Sequence, residues 1–170
     1  VSVAGSLFVF AENGIWRISG GDSVFSATSY VAEKLSSNGC VSSDSVVMVQ
    51  DSLYYWGEEA IYLVARNEFG IWQVQNISES KIQEFYRLIP LERKKSCSGV
   101  YDGYDRTVRW VYNTGKTTEV ESKELRLSVP FGSFVPYSVP DNVGGLPKVI
   151  SVGEVNPYTA SDATFDVTVG

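Results

Sequence analysis

Few side chains in this 170-residue sequence have the types and spacing that chemistry needs, and each such set has an architectural alternative. Ser78-Glu79-Ser80-Lys81 shows the Ser-x-x-Lys spacing in which a lysine one helical turn on activates a serine. The companion motifs of that chemistry are missing, and Ser78 stands where a helix wants a cap. Glu58 with Glu59, and Asp102 with Asp105, are paired carboxylates, and glycoside hydrolysis needs only two carboxyl groups roughly 5 to 10 Å apart. Both pairs fall in or beside expected hairpin turns, where acidic side chains hold backbone groups or face water. Asp102-Gly103-Tyr104-Asp105 opens like a calcium loop but lacks the further oxygen ligands and the closing glutamate. Asn76-Ile77-Ser78 is formally a glycosylation sequon, with nothing else to place the chain in a secretory path. Arg87, Arg93, Lys94 and Lys95 form the one basic concentration. They read either as a solvated face or, functionally, as phosphate contacts or a dock for an acidic neighbouring subunit.

The absences exclude more than the motifs suggest. With no histidine anywhere, Ser-His-Asp and Cys-His machinery and the usual catalytic zinc sites are removed. Cys40 and Cys97 have no metal-ligand spacing and are expected to be reduced, buried small hydrophobes. A net charge of -6 argues against a generic nucleic-acid clamp, since sequence-independent affinity comes from lysine and arginine displacing counterions. That makes subunit docking the preferred functional reading of the basic cluster. No apolar run approaches a membrane span and no signal peptide opens the chain, so a soluble, unsecreted protein is expected. The assignment is therefore no enzyme, with no catalytic, cofactor or metal residue.

What must be positioned is instead a set of aromatics. Glu12-Asn13-Gly14-Ile15-Trp16-Arg17-Ile18 and Glu68-Phe69-Gly70-Ile71-Trp72-Gln73-Val74 read almost alike, with a fainter third copy at Phe131-Gly132-Ser133-Phe134-Val135. A self-similar unit of about 50 residues marks a chain of repeated sheets, as in β-propellers. The structural repeat positions are then Gly14, Trp16, Gly70, Trp72, Gly132 and Phe134. Trp16, Trp56, Trp72 and Trp110 with Tyr54, Tyr55, Tyr62 and Tyr112 could line a sugar groove, but recurrence at matched places favours inter-sheet packing.

Four short runs, Val46 to Val49, Leu53 to Trp56, Ile61 to Val64 and Ile71 to Gln75, are joined by turn chemistry and predict an antiparallel meander in a full blade over 45–76. Its first three runs are continuously apolar, which implies a sheet covered on both faces. A second full blade is expected over 98–139, with Pro136 confining its last strand to an edge. Residues 1–20 match only a final hairpin and read as a partial blade, and 141–170 as the start of a further strand-rich unit. The spacing of Ile82, Phe85, Tyr86 and Ile89 predicts one amphipathic helix near 79–90, capped by Ser78 or Ser80 and ended by Pro90. The expected fold is mainly β, with repeated four-stranded antiparallel meanders of propeller type, two full and two partial. Two full sheets cannot close a ring, so the chain reads as a fragment or processed product.

Leu7-Phe8-Val9-Phe10 followed by Asn13-Gly14-Ile15-Trp16-Arg17-Ile18-Ser19-Gly20, together with Tyr55-Trp56-Gly57 and Ala60-Ile61-Tyr62, resembles the nozzle or tail tubular B proteins of short-tailed bacteriophages. Glu124-Leu125-Arg126-Leu127 through Phe131-Gly132-Ser133-Phe134-Val135-Pro136-Tyr137 is similar to the strand-turn-strand closing a blade in that family. The resemblance implies a structural virion subunit in a homo-oligomeric ring, touching connector and fibre proteins and enclosing the channel through which viral DNA passes without specific binding. It would be assembled in the bacterial cytoplasm, and it carries no individual functional residue over. The competing expectation is a carbohydrate-binding or glycan-degrading propeller module of a phage tail, and a third is a repeat scaffold from a non-viral bacterial complex.

Overall fold

The computed structural model describes residues 1–20, 29–113 and 122–138. The chain is mainly β and builds three four-stranded antiparallel sheets, each a meander with its strands in chain order. Sheet 1 holds β1 (Ser2–Val3), β2 (Ser6–Ala11), β3 (Gly14–Ser19) and β4 (Val31–Ser36). Sheet 2 holds β5 (Val47–Val49), β6 (Ser52–Trp56), β7 (Ile61–Arg66) and β8 (Trp72–Asn76). Sheet 3 holds β9 (Ser98–Asp102), β10 (Thr107–Asn113), β11 (Ser122–Ser128) and β12 (Ser133–Ser138). The two meanders expected over 45–76 and 98–139 are present, and Pro136 lies on edge strand β12. The further unit expected over 141–170 lies outside the described residues.

One expectation is corrected. Residues 1–20 are not the final hairpin of a partial unit, because β2 and β3 are the middle strands of a complete sheet. Its first strand is only two residues long, and its fourth pairs with β3 from beyond a long connection, so neither end carries the hairpin punctuation that marks sheet 2.

Strand alternation explains how the sheets stack. In β6, Leu53 and Tyr55 turn to one side and join Phe8, Ile15 and Val3 of sheet 1 in one apolar cluster. Tyr54 and Trp56 turn to the other side and join Val108, Trp110, Leu125 and Leu127 of sheet 3 in a second. Sheet 2 is thus buried on both sides, as its unbroken apolar runs required. Each sheet's front is defined here as the face towards the preceding sheet, and its back as the face towards the next.

Registers show which positions correspond. Leu53 pairs with Val64 and Tyr55 with Tyr62 on the front of sheet 2, while Leu7 pairs with Ile18 and Val9 with Trp16 in sheet 1. In sheet 3, Val108 pairs with Leu127 and Trp110 with Leu125. A positive φ recurs in the turn before each second strand, at Ala4 and Gln50 in the first place of two-residue turns and at Arg106 in the last place of a four-residue one. Trp16 therefore corresponds to Tyr62, not to Trp72.

The connector between sheets 2 and 3 is two short helices, α1 (Gln83–Arg87) and α2 (Leu91–Lys95), rather than one. Pro90 ends the first and stands at the N-cap of the second, where its missing N–H costs nothing. The expected stripe does face the core, with Tyr86 and Ile89 buried and Ile82 and Phe85 partly so, against the back of sheet 2 and the front of sheet 3.

This core disfavours the ionised forms of its thiols and phenols. Burial pushes the thiols of Cys97 and Cys40 up, and likewise the phenols of Tyr86, Tyr55 and Tyr54. Burial also pushes Tyr112 up to about 12. In the unfolded chain these groups release protons near pH 8.5 to 10, so the unfolded state holds fewer protons above that range and stability falls as pH rises. Lys94, lowered by burial, works in the opposite direction but is one group against several. The expected result is a midpoint of thermal unfolding steady up to about pH 8 and falling steeply above about pH 9.5, read by circular dichroism.

Candidate interfaces at the ends of the stack

The front of sheet 1 is the equivalent of a face that is covered in both other sheets, and among the described residues no sheet covers it. Leu7 and Val9 are 42% and 39% exposed, and Trp16 and Ile18, their cross-strand partners, are half-buried. Lys34 on β4 lies over Trp16, with its ammonium 5.1 Å from the ring centroid. The result is an apolar face with one cation at its β4 edge.

The back of sheet 3, which faces no further sheet among the described residues, is charged. Arg109 meets Asp102 at 2.8 Å and Asp105 at 2.7 Å, and lies 3.9 Å from Glu124. Glu124 accepts two hydrogen bonds from Arg126, at 2.7 and 3.0 Å, and Arg126 stacks over Tyr137. The carboxylates of Asp102 and Asp105 thus converge on a guanidinium instead of a scissile bond. Asp102 also caps its own turn, accepting from the backbone N–H groups of Tyr104 and Asp105. Among the described residues there is no cluster of metal-binding side chains.

Between sheets 1 and 2 and α2 lies a cleft of about 350 Å³ lined by Glu12, Glu58, Glu59, Tyr62, Leu91 and Lys95 among others. The Gly57-Glu58-Glu59 turn beneath it is held by the connector through three successive carbonyls. Tyr86 Oη donates to the Gly57 oxygen at 2.6 Å, Lys94 Nζ to the Glu58 oxygen at 2.5 Å, and Gln83 Nε2 to the Glu59 oxygen at 2.5 Å. Tyr86→Phe removes the most buried of these donors and leaves a carbonyl without its partner. Its expected cost is about 1 to 2 kcal/mol by urea titration, with the slope unchanged.

The basic cluster fares differently from its docking role. Lys94 is 4% exposed, with its ammonium over Tyr86 at 4.2 Å and bonded to Glu58, so it is not offered to another subunit. Arg87 is engaged with Glu59 and Glu84, Arg93 is half-buried, and Lys95 lines the cleft. The four do not form one surface, because α2 turns Lys94 inward while Lys95 stays outside.

Ser78 is fully buried and does not cap a helix. Its hydroxyl has Asn76 Oδ1 at 2.9 Å and Gln83 Oε1 at 2.8 Å as acceptors for its one hydrogen and accepts from the backbone N–H of Ile61, so it ties the segment after β8 to β7. No side chain caps α1, which begins later, with Ile82 at its N-cap. Glu58 and Glu59 are exposed turn residues, and Glu59 pairs with Arg87. Trp56, Trp72, Trp110, Tyr54, Tyr55, Tyr62 and Tyr112 are all buried in the packing between elements, Tyr62 also lines the cleft, and Trp16 is half-buried.

Of the six repeat positions, Gly70 and Gly132 correspond; Trp72 and Phe134 share a fourth strand but not a register, because Trp72 pairs with Arg66 while Phe134 pairs with Leu127, the equivalent of Val64. Gly70 and Gly132, with φ of 77° and 59°, both sit in the third turn of their sheets. Trp72 and Phe134 follow on the fourth strands, Trp72 packing against Phe8 at 4.7 Å and Phe134 against the second core cluster. Gly14 and Trp16 belong to the third strand of sheet 1. A Cβ on Gly14 would lie 2.5 Å from the Ser36 carbonyl oxygen, so glycine is needed there for close approach of β4, next to the bulge between Ile15 and Trp16. The open face escaped notice in the sequence, though its signal is there. Leu7-Phe8-Val9-Phe10 is apolar at every position, which asks for a neighbour on both sides.

No protein-family profile matches the chain, and no curated protein matches it.

Proposed function

We propose that this chain is a structural segment of a tailed-bacteriophage virion, part of a nozzle or tail tubular subunit in an oligomeric ring around the DNA exit channel. In this reading the three sheets are successive blades of a propeller, and connector and fibre proteins are the neighbours of the ring. The observation that carries it is the repeated packing of one sheet's back on the next sheet's front. Ser78, Glu59, Asp102 and Asp105 are meanwhile occupied in turns, ion pairs and ties within a sheet. The resemblance of Leu7 to Tyr137 to that family supplies the viral setting. A net charge of -6 suits a conduit that must release DNA, because like charge suppresses the counterion-driven affinity that would hold a duplex.

Electron micrographs of the assembled protein should show a ring with a central channel, and duplex DNA should bind no tighter than micromolar at physiological salt. A monomer by mass with no ring would overturn the proposal. The competing glycan-handling module has one observation in its favour, the cleft that gathers Glu12, Glu58, Glu59 and Tyr62. Binding or turnover on a glycan array, lost in Glu58→Gln, would favour that reading instead.

A further inference from the structure

We infer that the cleft between sheets 1 and 2 and α2 binds a linear aliphatic diamine or polyamine, with its ammonium ends on separate carboxylates and its methylene chain along the apolar wall. This goes beyond the proposed function and does not rest on the viral setting.

One hydroxyl in this cleft is left unused by the protein. Tyr62 is 7% exposed, and its ring stacks on Tyr55 with centroids 5.2 Å apart. Gly57 crowds the ring edge, where a Cβ would lie 2.5 Å from Tyr62 Cε2. Among the described residues the Tyr62 hydroxyl has no hydrogen-bond partner, yet it is not sealed from solvent as the orphaned indole N–H groups of Trp56 and Trp72 are. The polar tip of this enclosed side chain therefore reaches the open space of the cleft that Tyr62 lines. Burial, and after it the Glu59 carboxylate, pushes the phenol up, so the hydroxyl stands beside Glu59 as a neutral donor and acceptor. An enclosed polar group without a partner points to a ligand group that completes it.

The charges around this hydroxyl are unbalanced. Among the described residues no cation lies within ion-pair distance of Glu12 or Glu58. Glu59 holds Arg87 at 3.5 Å with both side chains more than half exposed, a pair that contributes little and is easily exchanged. Lys94 is turned under the turn, onto the Glu58 carbonyl and the Tyr86 ring. Three carboxylates thus line the cleft against the single ammonium of Lys95, which selects a cation.

Spacing selects the shape of that cation. Glu12 belongs to the β2–β3 turn of sheet 1, while Glu58 and Glu59 belong to the β6–β7 turn of sheet 2. Among the described residues these acids do not gather closely enough to hold one metal ion, so a single compact charge does not fit. Val41 and Leu91 complete the lining with apolar surface. A linear diamine has both features, charge at its ends and methylenes between, and a volume of about 350 Å³ falls within the range of small-ligand sites. A sugar asks for an open aromatic face, whereas Tyr62 offers its hydroxyl and keeps its ring under Tyr55.

The test is calorimetric titration of the full chain at low salt with putrescine, with butylamine as the one-ended amine and butanediol as the neutral probe. One site per chain is expected, with putrescine about five-fold or more tighter than butylamine and no heat from butanediol. Tyr62→Phe removes a hydroxyl that holds nothing within the protein, so its urea midpoint should not fall while putrescine binding weakens about three-fold. Glu12→Gln and Glu58→Gln should each weaken binding about three-fold, and Lys95→Gln, which removes the rival ammonium, should tighten it by about as much. Glu79→Gln makes the same charge change at an exposed position outside the cleft and should leave binding unchanged. Equal weakening by Glu79→Gln and Glu58→Gln would mean diffuse attraction to an acidic chain and would overturn the inference. So would equal affinity for butylamine and putrescine, weaker binding in Lys95→Gln, or no saturable heat below about 10 mM putrescine. A neutral oligosaccharide that displaces putrescine and binds more tightly would make the cleft a glycan site and overturn it too. None of these outcomes depends on whether a ring is seen in micrographs, so the two proposals can fail separately.

Discussion

Replacing Trp110 by alanine is expected to remove about 3 to 5 kcal/mol of stability and lower the midpoint of thermal unfolding by roughly 10 °C or more. Trp110 is fully buried in the middle of sheet 3, where it packs on Trp56 with ring centroids 6.1 Å apart. Its indole N–H donates to the Ser45 carbonyl oxygen at 2.9 Å, a bond between sheet 3 and the segment leading into sheet 2. The substitution opens a cavity between two sheets and leaves that carbonyl without its donor, and the two losses add. Domains of this size are stable by about 5 to 15 kcal/mol, so the variant should fold only marginally. Paired phenylalanine substitutions separate the terms. Trp110→Phe loses the hydrogen bond, whereas Trp56→Phe removes an N–H that has no partner among the described residues. Trp56→Phe should therefore be the milder change by about 1 kcal/mol in guanidinium titrations. A cost below about 1 kcal/mol for Trp110→Ala would mean that sheets 2 and 3 do not rest on this residue.

Gly39→Ala is expected to be as damaging, by a route that has nothing to do with burying apolar surface. A Cβ on Gly39 would run into the backbone carbonyl of Glu12, with the Ala11 oxygen also only 2.6 Å away. The chain crosses the end of sheet 1 here, and the Cys40 N–H donates to the Ala11 oxygen at 2.9 Å just beyond the contact. Both obstructing groups are backbone, so no rotamer change relieves the clash. The crossing must move, and with it the cleft wall and the step from sheet 1 to sheet 2. A cost of about 3 kcal/mol or more is expected, with most expressed chain insoluble or binding a hydrophobic dye. Gly70→Ala is the control. Nothing lies within 4 Å of its Cβ position, so the cost there comes only from its positive φ, about 1 to 2 kcal/mol. Equal stabilities for the two variants would refute the close crossing.

Turn chemistry and alternation made much of the fold legible. Sheet 2 was readable because Gln50-Asp51-Ser52 and Gly57-Glu58-Glu59 punctuate runs of four to five residues, and turn-forming residue types mark such breaks within a short segment. The helical stripe of Ile82, Phe85, Tyr86 and Ile89 was read correctly for its buried face, while Pro90 divided it into two helices. Sheet 1 was underread because β4 reaches β3 across a long connection, and pairing between distant segments leaves no mark in either one.

The likeness of Gly14-Ile15-Trp16 to Gly70-Ile71-Trp72 pointed to repeated antiparallel sheets, which the chain has, but with the wrong register. Both follow a turn, but Gly14 opens a third strand under the pressure of β4, and Gly70 precedes a fourth strand with open space around it. The equivalence that holds runs through Ser6-Leu7-Phe8-Val9-Phe10 and Ser52-Leu53-Tyr54-Tyr55-Trp56, and it depends on which strand lies opposite. The basic cluster shows the same limit. Lys94 and Lys95 are neighbours in the chain, yet one is buried on Tyr86 and the other lines the cleft, because consecutive helical residues point about 100° apart.

By itself the sequence determined the class of the protein: mainly β, repeated meanders and no histidine, because composition and two-residue alternation are properties of short segments. Only the tertiary structure decided which of the apolar faces have neighbours. Burial is a relation between segments far apart in the chain, and Leu7 and Leu53 have the same local pattern while one is open and the other is fully enclosed.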